Sequence, residues 1–311
     1  MNVTTIITTV LSLVVIFLFA IQKFSHQVQL IAGERLKAIL NRWTDKPIKG
    51  VVSGALITSI MQSSTATSVV LVGLVNAGVI ASYNAIGVVI GANIGSTITA
   101  QLVALNMTYI APIIVIFGFI ITHTQSRFRK YGKSIFYFGL IFLTLFIISN
   151  IVAPLKDNLD LQNILSAMNN PYKAILVGAI VTAILQSSSV FTGLILILTL
   201  QGLVTLPAAI GFMLGSNIGS PLTAIVASTS ANFEAKKVAI AHVLFNVVGV
   251  LIFTPFIIPF EKLLRFISNN EIQQIVNAHF LFNITCAIIC LAFFEHFEKL
   301  VRNVTKILYK N

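Results

Sequence analysis

Charge is what this 311-residue chain has least of: Asp, Glu, Lys and Arg make up 9% of it, while 57% is hydrophobic and mean hydropathy is +0.95. Soluble domains carry about 25% charged residues, so an ordinary soluble protein is excluded. The alternating, roughly ten-residue segments of an outer-membrane barrel are missing too, which leaves a helical bundle in a plasma or inner membrane. Acid is scarcer than base, 9 residues against 20, for a net charge of +11. The basic residues sit between apolar runs and form no aromatic-interleaved module, so they read as topology signals and anionic-lipid contacts, not as a nucleic-acid surface. Cysteine is limited to Cys286 and Cys290 in one apolar run, which gives small buried hydrophobes and no disulfide framework. No Lys or Arg precedes the first apolar run and no clear small-x-small cleavage site follows it, so an uncleaved membrane helix is expected. Neither a Gly-x-Ser-x-Gly elbow nor zinc-ligand spacing occurs. No enzyme and no cofactor are expected.

What is present is a duplication. Gln62-Ser63-Ser64-Thr65-Ala66-Thr67-Ser68 and Gly91-Ala92-Asn93-Ile94-Gly95-Ser96 return as Gln186-Ser187-Ser188-Ser189 and Gly215-Ser216-Asn217-Ile218-Gly219-Ser220. Residue 62 recurs at 186 and residue 93 at 217, a constant offset of 124 that holds without a gap from Pro47/Pro171 to Ala100/Ala224.

Taken in order, Val3–Ile21 is a first apolar run that Gln22-Lys23 ends. Residues 28–43, with Glu34, Arg35, Lys37, Arg42 and Trp43, have the pattern of an amphipathic helix lying in the interface. From 47 to 81 the chain is too short for two crossings and carries its polar cluster in the middle, so a re-entrant hairpin is expected there and again at 171–202. Crossings follow at 83–105, 109–122 and 135–152, then at 205–229, 238–260 and 275–294. Gly87, Gly91 and Gly95 in the first of these fit either close helix packing or, with Asn93 among them, an interrupted helix whose backbone lines a site; the interrupted helix is expected in both copies. Lys and Arg crowd 23–49, the loop of Arg127, Arg129, Lys130 and Lys133, and the tail of Lys299, Arg302, Lys306 and Lys310, which places these in the cytoplasm. Three crossings separate the hairpins, and three is odd. The fold expected is therefore an all-α polytopic membrane protein of inverted-topology repeats, 1–125 and 134–260, with a final helix and basic tail at 275–311, the N-terminus outside and the C-terminus cytoplasmic.

With the hairpin tips together, the midplane gains the amides of Gln62 and Gln186 and the hydroxyls of Ser63, Ser64, Thr65, Ser187, Ser188 and Ser189, with Asn93, Ser96, Thr97, Asn217 and Ser220 in support. The buried segments hold essentially no Asp, Glu, Lys or Arg, which disfavours a carboxylate proton relay and a buried-Arg anion site. Hydroxyls, amides and helix N-termini suit an oxyanion, and amide and backbone carbonyls suit Na+. An isolated membrane serine often only bonds its own helix at i−4; the repeated cluster points to a site. His242 and His279, in Ala-His-Val-Leu-Phe-Asn and Ala-His-Phe-Leu-Phe-Asn, read as packing or interfacial residues bonded to Asn246 and Asn283.

The paired Gln-Ser-Ser motifs, the Gly-x-Asn-Ile-Gly blocks and the Ala-His-x-Leu-Phe-Asn segments resemble the type II sodium-dependent phosphate cotransporter family, in its bacterial sodium/phosphate symporter branch, over most of residues 30–295. The resemblance implies inorganic phosphate as substrate, Na+ as coupling ion, and the tips 62–65 and 186–189 as the site of both, without assigning individual Na+ ligands. Two positions depart: Thr65 stands where serine is usual, and Pro221 replaces the hydroxyl residue that Thr97 retains in the first copy. Many bacterial relatives append a soluble regulatory domain, which is not expected here. The partners expected are phosphate, Na+ and the lipid bilayer, with a homo-oligomer as an open alternative. A passive anion channel, a Na+-coupled carrier of another oxyanion and a non-transporting sensor are the competing readings.

Overall fold

The computed structural model describes residues 3–42, 45–105, 107, 109–125, 128–154 and 168–309, with backbone only for Val3, Thr4, Ile7 and 33–42. The described residues are helical, with no strand among them. The chain runs α1 Val3–Arg42, α2 Pro47–Met61, α3 Ser64–Asn76, α4 Ser82–Val103, α5 Ala111–His123 and α6 Arg129–Val152. It continues through α7 Pro171–Leu185, α8 Ser188–Leu200, α9 Leu206–Gly219, α10 Leu222–Ser228 and α11 Phe233–Phe253. A short 3-10 turn at Thr254–Phe256 leads to α12 Ile257–Ile267, α13 Glu271–Ala292 and α14 Phe294–Leu308. Among the described residues, six stretches are long and apolar enough to cross a membrane: Thr8–Ala32, Ser82–Val103, Arg129–Val152, Leu206–Ser228, Phe233–Ile267 and Glu271–Ala292. The protein is an all-helical, multi-pass membrane protein.

Both expected hairpin segments fold as a helix, a sharp break and a helix. Pro47 and Pro171 open α2 and α7 at a position where the missing N–H costs nothing. The helices end at Gln62 (φ 54°) and Gln186 (φ 53°), the only non-glycine residues with positive φ among those described. Ser63 and Ser187 then cap the next helices by accepting from the N–H groups of Ala66 (3.1 Å) and Val190 (3.4 Å). Gly78 and Gly202, both at φ 71°, follow α3 and α8 in turn.

The glycine row shows which of its two readings holds in α4. A Cβ at Gly87, Gly91 or Gly95 would collide with the carbonyl oxygens of Pro47, Val51 and Ala55 in α2, and one at Gly211, Gly215 or Gly219 with those of Pro171, Ile175 and Ala179 in α7. Each broken pair thus lies backbone to backbone against the long helix that follows it. α4 is consequently continuous over 22 residues, contrary to the interruption expected there. The second copy does break, between α9 and α10 at Ser220-Pro221, where proline removes a helix donor and crowds the preceding turn.

Two further expectations change. The first run and the segment after it form a single 40-residue helix, and its apolar stretch extends to Ala32. Gln22-Lys23 does not end it, because the Lys23 ammonium sits 5.5 Å over the Phe19 ring one turn back and Gln22 faces a polar cavity. The amphipathic reading of 28–43 turns on Glu34, Arg35, Lys37, Arg42 and Trp43, whose side chains lie outside the described residues, as do Arg127, Lys310 and residues 155–167 of the expected polar link. The expected crossing at 109–122 is the 13-residue α5, shorter than the roughly 20 residues a full span needs.

α11 packs on α3 and α4 of the first copy, whereas α13 packs on α8 and α9 of the second as well as on α4. At one end of the bundle Lys237 pairs with Glu234 (2.8 Å) and Glu298 (3.8 Å), Ser82 donates to Glu234, and Tyr83 donates to Glu295, which ties the amphipathic α14 to α4 and α11.

Candidate functional site

The two breaks meet. Gln62, Ser63, Ser64 and Thr65 line the same cavity of about 290 Å³ as Gln186, Ser187, Ser188 and Ser189, although 124 residues separate the motifs. The left-handed turn at each glutamine bends the chain so that α3 and α8 begin at the cavity with free N–H groups and a positive dipole end. A left-handed glutamine is uncommon and strained, and strain of this kind collects at functional positions. Ser63 and Ser187 each use one lone pair for capping and keep a hydroxyl proton to donate. The hydroxyls of Ser64, Thr65, Ser188 and Ser189 have no protein partner among the described residues.

The tips are not equivalent. Gln62 is 7% exposed, donates its amide to the Ser59 carbonyl, and leaves its Oε1 buried without a partner, whereas Gln186 is exposed. The amide of the first tip is therefore shut away from solvent, whereas that of the second is open to it. An amide oxygen with no donor in reach is a ready ligand for a hard cation or an acceptor for a protonated anion oxygen.

Of the supporting residues, Ser96 lines the cavity and donates to the Asn93 carbonyl (2.8 Å). The other four lie behind it. Thr97 and Ser220 are buried and bonded to the carbonyls of Ile94 (2.7 Å) and Ser216 (2.9 Å). Asn93 donates to the Val89 carbonyl and accepts from Asn246 (3.0 Å); Asn217 donates to the Met213 carbonyl and pairs with the His279 ring (3.2 Å). The histidine expectation holds in part: both residues are buried in helix packing and bonded to Asn246 and Asn283, but through their backbone carbonyls and not their rings. Each asparagine of the Ala-His-x-Leu-Phe-Asn segments bonds the backbone carbonyl of its histidine, while the rings reach across the bundle, His242 to Ser68 (2.9 Å) and His279 to Asn217.

Sequence reasoning passed over two sets of lining residues. Thr99 and Thr223 occupy equivalent positions at the offset of 124, both line the cavity, and both hydroxyls are buried without a partner. Their identity across the duplication was the signal. From α1 come Gln22, Ser25, His26 and Gln29, one face of a helix by their spacing. Ser25 donates to the Met61 carbonyl (2.7 Å), freed by the break at Gln62, and accepts from Gln29 (2.9 Å). Among the described residues, no Asp, Glu, Lys or Arg lines the cavity and no group of three metal-binding His, Cys, Asp or Glu side chains occurs.

The family model described as "Na+/Pi-cotransporter" matches residues 16–150 and 157–296. Protein YqeW of Bacillus subtilis is 32% identical over 248 residues, covering 79% of this chain and 81% of that one. The putative inorganic phosphate export protein YjbB of Escherichia coli is 30% identical over 233 residues, 74% of this chain, and the match spans 43% of YjbB, under half its length. Human sodium-dependent phosphate transport protein 2B is 44% identical over 96 residues, 30% of this chain and 14% of that protein. No solved structure matches the chain significantly. With the family model covering most of the sequence, the chain belongs to the Na+/Pi-cotransporter family.

Proposed function

We propose that the protein couples Na+ influx to uptake of inorganic phosphate by alternating access, with both substrates held between the two Gln-Ser-Ser tips. The observation that carries this reading is the shared cavity, to which two duplicated tips contribute hydroxyls, amides and helix N-termini but no charged side chain. Such a lining recognises a tetrahedral oxyanion by hydrogen bonds and leaves its charge uncompensated. Na+ on amide and hydroxyl oxygens, with the unpartnered Gln62 Oε1 available, supplies the compensation. A multivalent anion entering without cations would meet a large desolvation cost, which is the physical reason for coupling. In this reading the broken pairs 47–81 and 171–202 are re-entrant, the repeats 1–125 and 134–260 are inverted and rock against each other, and the N-terminus lies outside the plasma membrane with the C-terminus inside.

The test is labelled-phosphate uptake into proteoliposomes under an inward Na+ gradient and under an equal K+ gradient. Concentrative uptake with Na+ alone is expected. Equal, non-concentrative flux in both would replace the symporter with a channel, and no binding or flux of phosphate would reject the substrate. The name of the YjbB relatives supports a second reading, outward phosphate movement through the same site, which proteoliposomes preloaded with phosphate distinguish by efflux.

A further inference from the structure

The two Ala-His-x-Leu-Phe-Asn segments hold the two copies differently. In the first copy Ser68, on α3, meets Nδ1 of His242 at 2.9 Å and Asn246 donates to Asn93 at 3.0 Å, while Nε2 of His242 is buried without a partner among the described residues. In the second copy Nε2 of His279 donates to Asn217 at 3.2 Å, and it is Nδ1 that is buried without a partner. Asn283, which stands in its segment where Asn246 does, donates to the His279 carbonyl and leaves its own Oδ1 unpartnered. Thr192 stands where Ser68 does, at the offset of 124, and its hydroxyl is buried with no partner among the described residues either. The equivalent residues Asn93 and Asn217 are thus met by positions four apart in the same hexapeptide, about one helical turn. α13, which touches both α8 and α9, therefore sits on the second copy in a different register from α11 on α3 and α4.

Resting on the alternating-access reading above, we propose that Thr192 and His279 form a latch on the second tip. In the other state of the cycle the His279 ring leaves Asn217, its Nδ1 accepts from the Thr192 hydroxyl, and Asn283 takes the place on Asn217 that Asn246 holds on Asn93. The first copy already displays this arrangement, and the two atoms that the latch joins are among those left without a partner in the second. Buried polar atoms without partners are few in native structures, and a second arrangement that satisfies them accounts for their presence. Imidazole suits the exchange because its two nitrogens lie at different edges of one ring; Nε2 keeps its proton in both states. Thr192 lies four residues after Ser188 on α8, as Ser68 lies four after Ser64 on α3, so each latch grips the helix that starts at its tip. The state of each latch matches its tip: the latch is made where Gln62 is buried and open where Gln186 is exposed. Slides of a turn or less between packed helices are a recurrent way to switch between two discrete arrangements.

The experiment compares the native chain, Thr192→Val and Thr192→Ser by labelled-phosphate uptake into proteoliposomes under a Na+ gradient. It also follows thermal melting and amide hydrogen exchange of the purified proteins, without ligand and with saturating Na+ and inorganic phosphate. In the native chain the ligands should raise protection of the α8 amides. Thr192→Val keeps the side-chain shape and loses a hydroxyl that has no partner in the state described, so without ligand it should melt at or above the native temperature. Its turnover should fall about fivefold, the effect of one hydrogen bond on the population of the latched state, and the ligand-induced protection of α8 should fall with it. Thr192→Ser, with the hydroxyl that Ser68 supplies in the first copy, should restore both. Native turnover and protection in Thr192→Val, an equal loss in Thr192→Ser, or no ligand-induced protection of α8 in a native chain that transports would each overturn the latch and leave the transport reading standing. A native chain that takes up no phosphate overturns both.

Discussion

Glycine at position 62 or 186 should be as stable as the native glutamine, and alanine should be less stable than glycine. A left-handed conformation costs an L-residue about 1–2 kcal/mol and glycine nothing. At Gln62 the change to glycine also removes a buried carbonyl oxygen with no partner, worth about 1–3 kcal/mol. Against this stand one lost hydrogen bond to Ser59, about 1 kcal/mol, two buried methylenes at about 0.8 kcal/mol each, and about 1 kcal/mol of glycine chain entropy. Gains of about 2–5 kcal/mol against losses of about 3.6 kcal/mol leave the fold near its native stability. Alanine keeps the strain and should fall about 1 kcal/mol below glycine, or about 2–4 °C in melting temperature, the reverse of the ranking inside a helix. Thermal melting in detergent measures this, and phosphate uptake is followed in parallel, since both variants lose the amide and should lose transport. Alanine melting as high as glycine would refute the backbone argument. Normal uptake by Gln62→Gly would refute the assignment of the amide to the site.

Gly91→Ala and Gly215→Ala should lower the melting temperature by the equivalent of about 1–3 kcal/mol, because their Cβ atoms meet backbone of the facing helix, whereas Gly73→Ala, with nothing near its Cβ, should be neutral or slightly stabilising. Thr99→Val and Thr223→Val delete buried hydroxyls that have no partner, so stability should hold or rise while the phosphate or Na+ KM in uptake increases. Asn246→Ala should cost about 1–3 kcal/mol by leaving the Asn93 side-chain oxygen without a donor, and the Asn93→Ala/Asn246→Ala double variant should cost less than the sum of the two, as a thermal double-mutant cycle would show.

The tips were legible because the duplication marked them and because a polar cluster between two short apolar runs has few places to go. Helix breaks at Gln62 and Gln186 fall where the motifs begin. The glycine row was ambiguous for a physical reason: small residues serve close packing and broken helices alike, and only the position of α2 against α4 selects the first. Proline did discriminate, since Pro221 coincides with the break in the second copy and Thr97 with continuity in the first. α1 was misjudged because Gln22-Lys23 resembles the end of a span; the spacing of Gln22, Ser25, His26 and Gln29 held the opposite signal, a polar face that keeps the helix going beside a cavity. The pairing of His242 with Ser68 spans 174 residues and could not be read from local pattern.

That long reach bears on how the protein is made. Ser68 and Asn93, in the first copy, are satisfied by His242 and Asn246 on α11, and Asn76 by Asn232, the residue that caps α11. A chain emerging from the ribosome places the first copy in the membrane some 153 residues before the partner of Asn93 is synthesised. During that interval these polar groups face lipid, water or a chaperone, with no native partner yet made. The first copy thus waits longer for its partner than the second, whose Asn217 meets His279 only 62 residues on, and a fragment ending before α11 should be retained by insertion machinery or degraded, however intact its own sequence.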